Sequence, residues 1–438
     1  MGYLQMVVHR ILATFAALFI AVAVAPHASA VLLTDWIEIG DPGNPEIPVE
    51  MHDETTGYGR VDYIYRMAEF EVTNDDYCEF LNAVAASDPK QLYHPSMTTP
   101  LYFGGIIRSG DSGSYTYTTK PLMGNKPVNH INFLDAARYA NWHHNGQPTG
   151  PQNASTTEDG AYTFPATAIP IHPVPGDPFI TRNPGARVYL PNEHEWHKAA
   201  FYEEGAVTME GSGWWTYPSG SDDFPSSAYA DEFGNVSNPG PNIVVHRMTA
   251  NWGGSTIGNV TTVGSSGQVS PYGVREISGN VFEWLEADVT KPDPLGAGPY
   301  IVKGGSFQNV GHVEMNERNN GYPVEQHKHN RQGFGVGMRL AAAYSPFSAD
   351  FDYDQDVDEV DLSMWNAARD TSPLGDANRD GVTDGADFLL WQSQLGSTIP
   401  PSTPLATSVP EPAACTLAVS AGLIGLSLRR RFLPYRAV

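Results

Sequence analysis

The chain has 438 residues, of which 41% are hydrophobic and 17% charged, so it is too long for one small domain and too apolar for a disordered protein. Its formal net charge of −24 argues against a nucleic-acid partner, because a phosphate backbone selects Lys and Arg, and it suits solubility outside the cell or cation binding. Two cysteines exclude a disulfide-rich scaffold and a Cys-based zinc cluster.

Residues 1–30 have the features of a secretory signal peptide. Arg10 closes a short N-terminal region, an apolar run follows over 11–25, and an A-x-A cleavage site lies at 28–30. An uncleaved membrane anchor is the alternative, although the run is short for a spanning helix. We therefore expect the mature chain to be exported.

Three amphipathic helices are predicted within residues 31–343. Thr73, Asn132 and Asn192 can each cap one helix, because an acidic residue follows three positions later in every case. Residues 187–190 are typical of a strand that precedes the third helix, and the rest of the region consists of short strands and long loops. The fold class predicted for this region is therefore α+β.

Six motifs follow one another in the same region. They are YRMAEFEVTN (65–74), PVNHIN (127–132), YLPNEHEW (189–196), SGNVFEW (278–284), KGGSF (303–307) and GMR (337–339). Together, and in this order, they resemble the formylglycine-generating enzyme family, also called the sulfatase-modifying factor family. The resemblance implies an irregular α+β fold that is related to C-type lectins.

The enzyme of that family oxidises a sulfatase cysteine to formylglycine with O₂ and a copper ion held by two cysteines. The positions that the resemblance implies are Ser306, Asn309 and Glu314, so an amide and a carboxylate stand where the thiolates would be. Soft Cu(I) prefers sulfur ligands, which argues against copper and against this oxidase activity. No catalytic residue is therefore assigned, and the remaining cysteine of the region, Cys78, is predicted to be buried on the first helix.

Histidines leave an alternative metal site in the same pocket. His312 and Glu314, with His327 or His329, could bind a different metal. The chain would then be an oxidoreductase of the formylglycine-generating type that acts on exported sulfatases or other proteins. Loop histidines at a polar surface are the simpler interpretation.

The resemblance also implies two calcium sites. The first would use hard oxygen donors close together in the chain, namely the side chains of Glu276 and Glu283 and the carbonyls of Gly279 and Val281. The second would use the side chain of Asn251 and the carbonyls of Trp252 and Ile257, but Ser255 stands where its acidic ligand is expected. The first site is therefore the better supported, and calcium there is structural in the family.

Residues 344–397 contain an internal repeat with an offset of 26 residues, from Asp350 to Asp376. The first copy places oxygen donors at Asp350, Asp352, Asp354, Asp356, Asp358 and Asp361, and the second at Asp376, Asn378, Asp380, Val382, Asp384 and Asp387. Donors at this spacing on a tight turn suit Ca²⁺, with Asp356 and Val382 contributing backbone carbonyls. The sequence predicts two calcium loops, and a solvated acidic linker is the alternative.

The two predicted calcium loops differ in regularity. Gly381 stands at the turn position of the second loop, where the first has Gln355, so we expect the second to be the better site. Each loop ends in Asp instead of Glu and precedes a helical pattern, which resembles the duplicated loop–helix of type I dockerins. Because dockerins bind cohesin modules, the resemblance implies a cohesin-like partner.

A linker over 398–408 leads to a patterned C-terminal segment over 409–438. A Val-Pro-Glu-Pro sequence (409–412) precedes a short apolar stretch and then three arginines (429–431). This order resembles the PEP-CTERM sorting signal of environmental Gram-negative bacteria, which implies delivery to the cell surface or its polysaccharide matrix. The membrane would be contacted only through this segment before processing, and an ordinary tail anchor is the alternative.

The sequence thus predicts an exported surface protein whose main domain is a non-catalytic binding or structural module. Glycans, other envelope proteins or a cohesin-like protein are the expected partners, and calcium is the expected cofactor. The aromatic residues Trp214, Trp215, Tyr217 and Trp252 could provide a stacking surface, although core packing explains them equally well. A third possibility is an assembly protein that works mainly through its dockerin-like module.

Overall fold

The computed structural model describes residues 36–52, 54–98, 103–165, 180–209, 211, 213–286, 300–309, 335–378 and 380–398. The predicted signal peptide, all of the linker except Thr398 and the predicted sorting signal lie outside these residues. Glu314 and the histidines at 312, 327 and 329 also lie outside them. The described residues up to Ser397 belong to one compact unit.

The described part of the chain contains eleven short strands. They are β1 (Trp36–Ile39), β2 (Tyr65–Ala68), β3 (Ile106–Ser109), β4 (Thr116–Thr119), β5 (Val188–Tyr189), β6 (Ser226–Ser227), β7 (Ile243–Val244), β8 (Phe282–Glu286), β9 (Tyr300–Lys303), β10 (Val336–Gly337) and β11 (Ala341–Ala343). An antiparallel sheet has the order β1-β2-β11-β5, and Ala341 pairs with both Met67 and Tyr189. A second sheet has the order β10-β8-β9, while β3–β4 and β6–β7 form two-stranded pairs. Because β11 lies between β2 and β5, the two ends of the main region meet in one sheet.

Five α-helices accompany the strands in the described residues. They are α1 (Asn74–Val84), α2 (Phe133–His144), α3 (Glu193–Phe201), α4 (Glu359–Ala368) and α5 (Gly385–Gln394). The first three are the predicted helices, and each begins with the complete capping box expected at Thr73, Asn132 and Asn192. None of the helices in the described residues is long and apolar enough to cross a membrane.

Helix α2 differs from its prediction as an amphipathic helix. Every residue from 133 to 143 is buried, including several polar ones. Arg138 donates to Glu158 at 2.7 Å, and Asn141 donates to the carbonyls of Thr157 and Tyr162 at 2.8 Å each. Because tertiary partners satisfy its polar side chains, α2 lies inside the fold.

Three large hydrophobic clusters and a small one, Tyr217 with Val244, lie in the described part of the main region. The largest cluster packs α1 and α2 against β5 and β11 of the four-stranded sheet. The second packs α3 against β1 and β2 of that sheet and against β8 and β9. The third surrounds Phe307 and includes Trp252. Trp214, Tyr217 and Trp252 are all buried, so these aromatic residues contribute to the core.

The acidic repeat forms a small cluster of its own. The indole of Trp365 donates to the carbonyl of Asp384 and that of Trp391 donates to the carbonyl of Asp358, both at 2.9 Å. Each helix of the repeat therefore binds the loop of the other copy. This region also contacts the main one, because Arg187 donates to the carbonyl of Phe351 at 3.3 Å.

Candidate functional site

The Ser306–Asn309 turn begins where β9 ends. Gly304 and Gly305 turn the chain with φ of 93° and 75°, and the buried hydroxyl of Ser306 then donates to Oδ1 of Asn309. The backbone N–H of Asn309 also donates to the carbonyl of Ser306 at 3.0 Å. The Asn309 amide, which stands where the resemblance places a copper-binding cysteine of the family, is therefore part of a closed turn.

A neighbouring segment is anchored to this turn. The backbone N–H of Arg247 donates to the carbonyl of Asn309, and that of Met248 donates to the carbonyl of Phe307, both at 2.8 Å. Gly335 lies on another side, where an added Cβ would be 3.0 Å from Oγ of Ser306. Residues from three stretches that are distant in sequence thus meet at this turn.

The donors of the pocket do not fit copper. The Ser306 hydroxyl and the Asn309 amide hydrogen-bond to each other, and neither offers the sulfur ligand that Cu(I) prefers. Cys78 is buried on α1 as predicted, where its Sγ is 3.6 Å from Nδ2 of Asn82. Burial raises the pKa of Cys78 to about 11, so its thiolate is disfavoured at neutral pH.

The four residues predicted for the first family calcium site lie around the start of β8. The carboxylate of Glu276 accepts from the backbone N–H groups of Gly264 and Ser266, both at 2.6 Å. Gly279 has φ of 87°, and an added Cβ would lie 2.6 Å from Cγ1 of Val244, so this turn requires glycine. Val281 is buried beside it.

Glu283 is the fourth residue of this predicted site, and protein donors also bond to both of its oxygens. One of its oxygens accepts from Nε and Nη2 of Arg339 at 2.9 and 2.8 Å, and the other accepts from the indole of Trp196 at 2.8 Å. Protein donors therefore satisfy both carboxylates without a cation. Calcium at this position stays a prediction.

Glu71 is a buried acid that sequence reasoning did not single out. Its Oε2 accepts from Nδ2 of Asn280 at 3.4 Å, while its Oε1 has no hydrogen-bond partner. Burial and the nearby Glu276 raise the pKa of Glu71 well above its usual range, and Arg339 opposes them. Glu71 and Arg339 both lie in the motifs that carry the family resemblance, which is the signal that could have identified them.

The second family calcium position lies in the loop 251–258. Oδ1 of Asn251 accepts from the N–H of Gly258 at 2.8 Å, and the carbonyl of Trp252 accepts from the N–H of Ser255 at 3.0 Å. The Ser255 hydroxyl donates to the carbonyl of Gly258. The loop is closed by its own hydrogen bonds, and calcium here also stays a prediction.

The first acidic loop brings its carboxylates together in two groups. One group consists of Asp350, Asp352 and Asp361 and the other of Asp356, Asp358 and Asp361, with ligand oxygens within 4.8 Å of one another in each. Asp350 is 2% exposed and its Oδ1 has no hydrogen-bond partner. These groups could bind a metal such as calcium.

Asp354 and Asp356 occupy the exposed side of this loop. Oδ1 of Asp354 accepts from the N–H of Asp356 at 3.1 Å. Oδ1 of Asp356 is buried without a hydrogen-bond partner. Burial, followed by the like charge of Asp354, raises the pKa of Asp356. The sequence predicted the backbone carbonyl of Asp356 as a ligand, and the structure shows that its side chain could also contribute to a metal site.

The second loop repeats the backbone pattern of the first. Asp376 accepts from the N–H of Gly381 at 2.7 Å, and Asp387 accepts from the N–H groups of Ala377 and Asn378 at 2.9 and 3.0 Å. Asp384 caps α5, and Val382 is exposed at the loop surface. The predicted ligand residues of this loop therefore lie on one turn.

Asn378 makes the second loop chemically different. Its Nδ2 donates to Oδ2 of Asp380 at 3.0 Å, so an amide donor occupies a place where the first loop has the Asp352 carboxylate. Among the described residues, the groups of three carboxylates lie in the first loop. The sequence had favoured the second loop.

A family model described as the sulfatase-modifying factor enzyme 1-like domain matches residues 59–343. The chain belongs to this family. The match includes all six motifs and supports the irregular α+β fold of the main region. No curated protein matches the chain.

Solved structures of low similarity also match the chain. CarF is 19% identical with a TM-score of 0.39, covering 70% of this chain and 97% of that one. The Treponema denticola variable protein 1 is 16% identical with a TM-score of 0.35, covering 70% and 94%. PvdO from Pseudomonas aeruginosa is 14% identical with a TM-score of 0.32, covering 70% and 90%. Likenesses of this size carry no conclusion about function.

The chain has the fold of the family but not the family's cysteine three residues after Ser306. The sulfatase-modifying factor-like domain supplies the fold and places Ser306 at the end of β9. The residue three positions later is an asparagine that bonds to Ser306. The domain therefore has the family's architecture, with an asparagine where the first family thiol is expected.

Proposed function

We propose that this protein is an exported surface protein whose sulfatase-modifying factor-like domain is a non-catalytic binding or structural module. Its ligand would be a glycan or an envelope protein. The observation that carries the proposal is the hydrogen bond between Ser306 and Asn309, because it occupies the position where the family reaction needs a copper thiolate.

The rest of the chain supports an extracytoplasmic role. The 1–30 segment resembles a signal peptide, and 409–438 resembles a sorting signal that delivers proteins to the surface or its matrix. Cys78 is the one cysteine between these segments, and its buried, high-pKa thiol is poorly suited to redox chemistry.

We further propose that residues 344–397 form a calcium-binding, dockerin-like module with a cohesin-like or other envelope protein as its partner. The carboxylate groups of the first loop support the calcium part of this proposal. The reciprocal bonds of Trp365 and Trp391 support a two-copy module, because each copy is completed by the other.

Elemental analysis and peptide turnover test the proposal on the main domain together. The purified chain is incubated with copper, iron and calcium, and then with a sulfatase peptide that contains the substrate cysteine. We expect bound calcium, no stoichiometric copper or iron, and no conversion of the peptide.

A matched variant makes this result informative. Replacing Asn309 and Glu314 together by cysteine restores the two family thiols, and we expect this variant to bind Cu(I), whereas Ser306→Ala should bind as little copper as the parent chain. Stoichiometric copper or iron in the parent, together with peptide turnover, would contradict the proposal. The chain would then be an oxidoreductase with a changed metal site.

A further inference from the structure

Arg247 is an exposed cation beside the Ser306–Asn309 turn. No carboxylate among the described residues forms an ion pair with it. Its guanidinium carbon lies 4.6 Å from the ring centroid of Phe224, and the Phe224 side chain is 43% exposed. In a chain with 25 basic and 49 acidic residues, a surface arginine that pairs with no carboxylate of the described residues is a candidate anion-binding group.

The backbone that carries Arg247 is strained. Arg247 and Met248 have φ of 58° and 59°, so two consecutive residues with side chains occupy the left-handed region. Their N–H groups are fixed by the carbonyls of Asn309 and Phe307. Strained backbone that the surrounding structure holds in place is concentrated at ligand sites.

His246 adds a second polar group to the same cluster. Its ring centroid lies 6.0 Å from that of Phe224, and it is buried with no hydrogen-bond partner on either ring nitrogen. Burial lowers the pKa of His246 to about 4, so the neutral ring can donate one hydrogen bond and accept one at neutral pH.

We propose that Arg247 and Phe224 form a subsite for an acidic sugar. The guanidinium would bind the carboxylate or sulfate of the sugar through paired hydrogen bonds, and the exposed part of the Phe224 ring would pack against the sugar's C–H groups. The inference rests on the proposed function as a binding module and specifies its ligand class. An acidic peptide offers the same charge, so the experiment compares it directly with the sugars.

Isothermal titration calorimetry on the full chain tests this subsite with four probes. They are an oligogalacturonide, a sulfated galactose oligosaccharide, a neutral galactose oligosaccharide of the same length and an oligoglutamate peptide. We expect at least one acidic sugar to bind about tenfold or more tightly than the neutral sugar and the peptide. The first two probes distinguish a carboxylate from a sulfate ligand.

Variants then assign the binding to this cluster. Arg247→Gln should weaken the acidic sugar about tenfold or more, and Arg247→Lys should give an intermediate affinity, because it keeps the charge but not the paired donors. Phe224→Ala should weaken binding severalfold. Arg60→Gln is the control, because Arg60 is an exposed arginine that pairs with Asp62 at 2.7 Å, and it should bind like the parent.

Several results would overturn the inference. They are the absence of acidic-sugar binding, equal affinity for the neutral sugar or the peptide, and an unchanged affinity in Arg247→Gln. Thermal unfolding of each variant shows whether a lost affinity reflects a lost fold, and Arg247→Lys provides the answer if Arg247→Gln does not fold. Copper binding and peptide turnover decide the proposed function separately, so either conclusion can fail alone.

Discussion

Buried carboxylates occur in two regions of this protein, and their hydrogen bonds differ. In the main domain, Glu276 and Glu283 bond through both oxygens to protein donors. In the first acidic loop, Asp350 and Asp356 each have a buried oxygen without a hydrogen-bond partner, and other carboxylates surround them. Glu71 of the main domain also has an oxygen without a hydrogen-bond partner, but among the described residues the groups of three carboxylates lie in the first loop, where they could bind a cation.

The largest expected effect comes from removing an anchoring carboxylate. Glu283→Ala leaves the fully buried Arg339 guanidinium without its ion-pair partner, so we expect a loss of about 3–5 kcal/mol in the free energy of unfolding. Chemical denaturation in EDTA and in calcium measures it. Glu69→Ala is the control, because Glu69 pairs with Arg275 nearer the surface and should cost about 1 kcal/mol or less. A loss seen only in calcium would make Glu283 a metal ligand instead.

Calcium should act through the first acidic loop. At a concentration about 100 times its dissociation constant, a bound ion stabilises a protein by about 2.7 kcal/mol. We expect Asp350→Asn to remove more of this stabilisation than Asp376→Asn, the matched change in the second loop. Calorimetric calcium titration and unfolding with and without EDTA measure both effects. An equal loss in the two variants would show that the three-carboxylate groups of the first loop do not set the affinity.

The buried histidine His143 shows how burial affects a basic group, in contrast to the buried carboxylates. Burial lowers the pKa of His143 to about 3, whereas the unfolded chain binds the proton near pH 6.5. Because the unfolded state takes up more protons below pH 6.5, this histidine reduces stability as the pH falls, by about 2 kcal/mol between pH 7 and pH 5. His143→Leu should remove that part of the acid sensitivity in equilibrium unfolding at the two pH values. Parallel losses in parent and variant would contradict the prediction.

The sequence predicted local structure well because its signals are local. The capping boxes at Thr73, Asn132 and Asn192 each lie within four residues, and all three helices begin where expected. Family membership also follows from short motifs that occur in a fixed order. These features can be predicted without knowing the tertiary contacts of each side chain.

The hydrogen-bond partners of the buried acids could not be predicted in this way. Glu283 pairs with Arg339, 56 residues later in the chain, and Glu71 lies close to Glu276 although they are far apart in sequence. The Arg247–Phe224 cluster likewise depends on two separate loops that meet in space. Which carboxylates are satisfied by protein donors depends on such nonlocal contacts, which sequence spacing does not reveal.

The smallest expected effect tests the backbone of the two acidic loops. Gln355 and Gly381 occupy the same turn position with φ of 76° and 91°, and their N–H groups donate to Asp350 and Asp376. Gln355→Gly should stabilise the loop by about 0.5–1 kcal/mol in EDTA, because glycine adopts this conformation without steric cost, and Gly381→Gln should destabilise it by a similar amount. Thermal unfolding compares the two variants with the parent. If Gln355→Gly lowers stability instead, the contacts of the glutamine side chain outweigh its backbone strain, and the first loop is built for that residue.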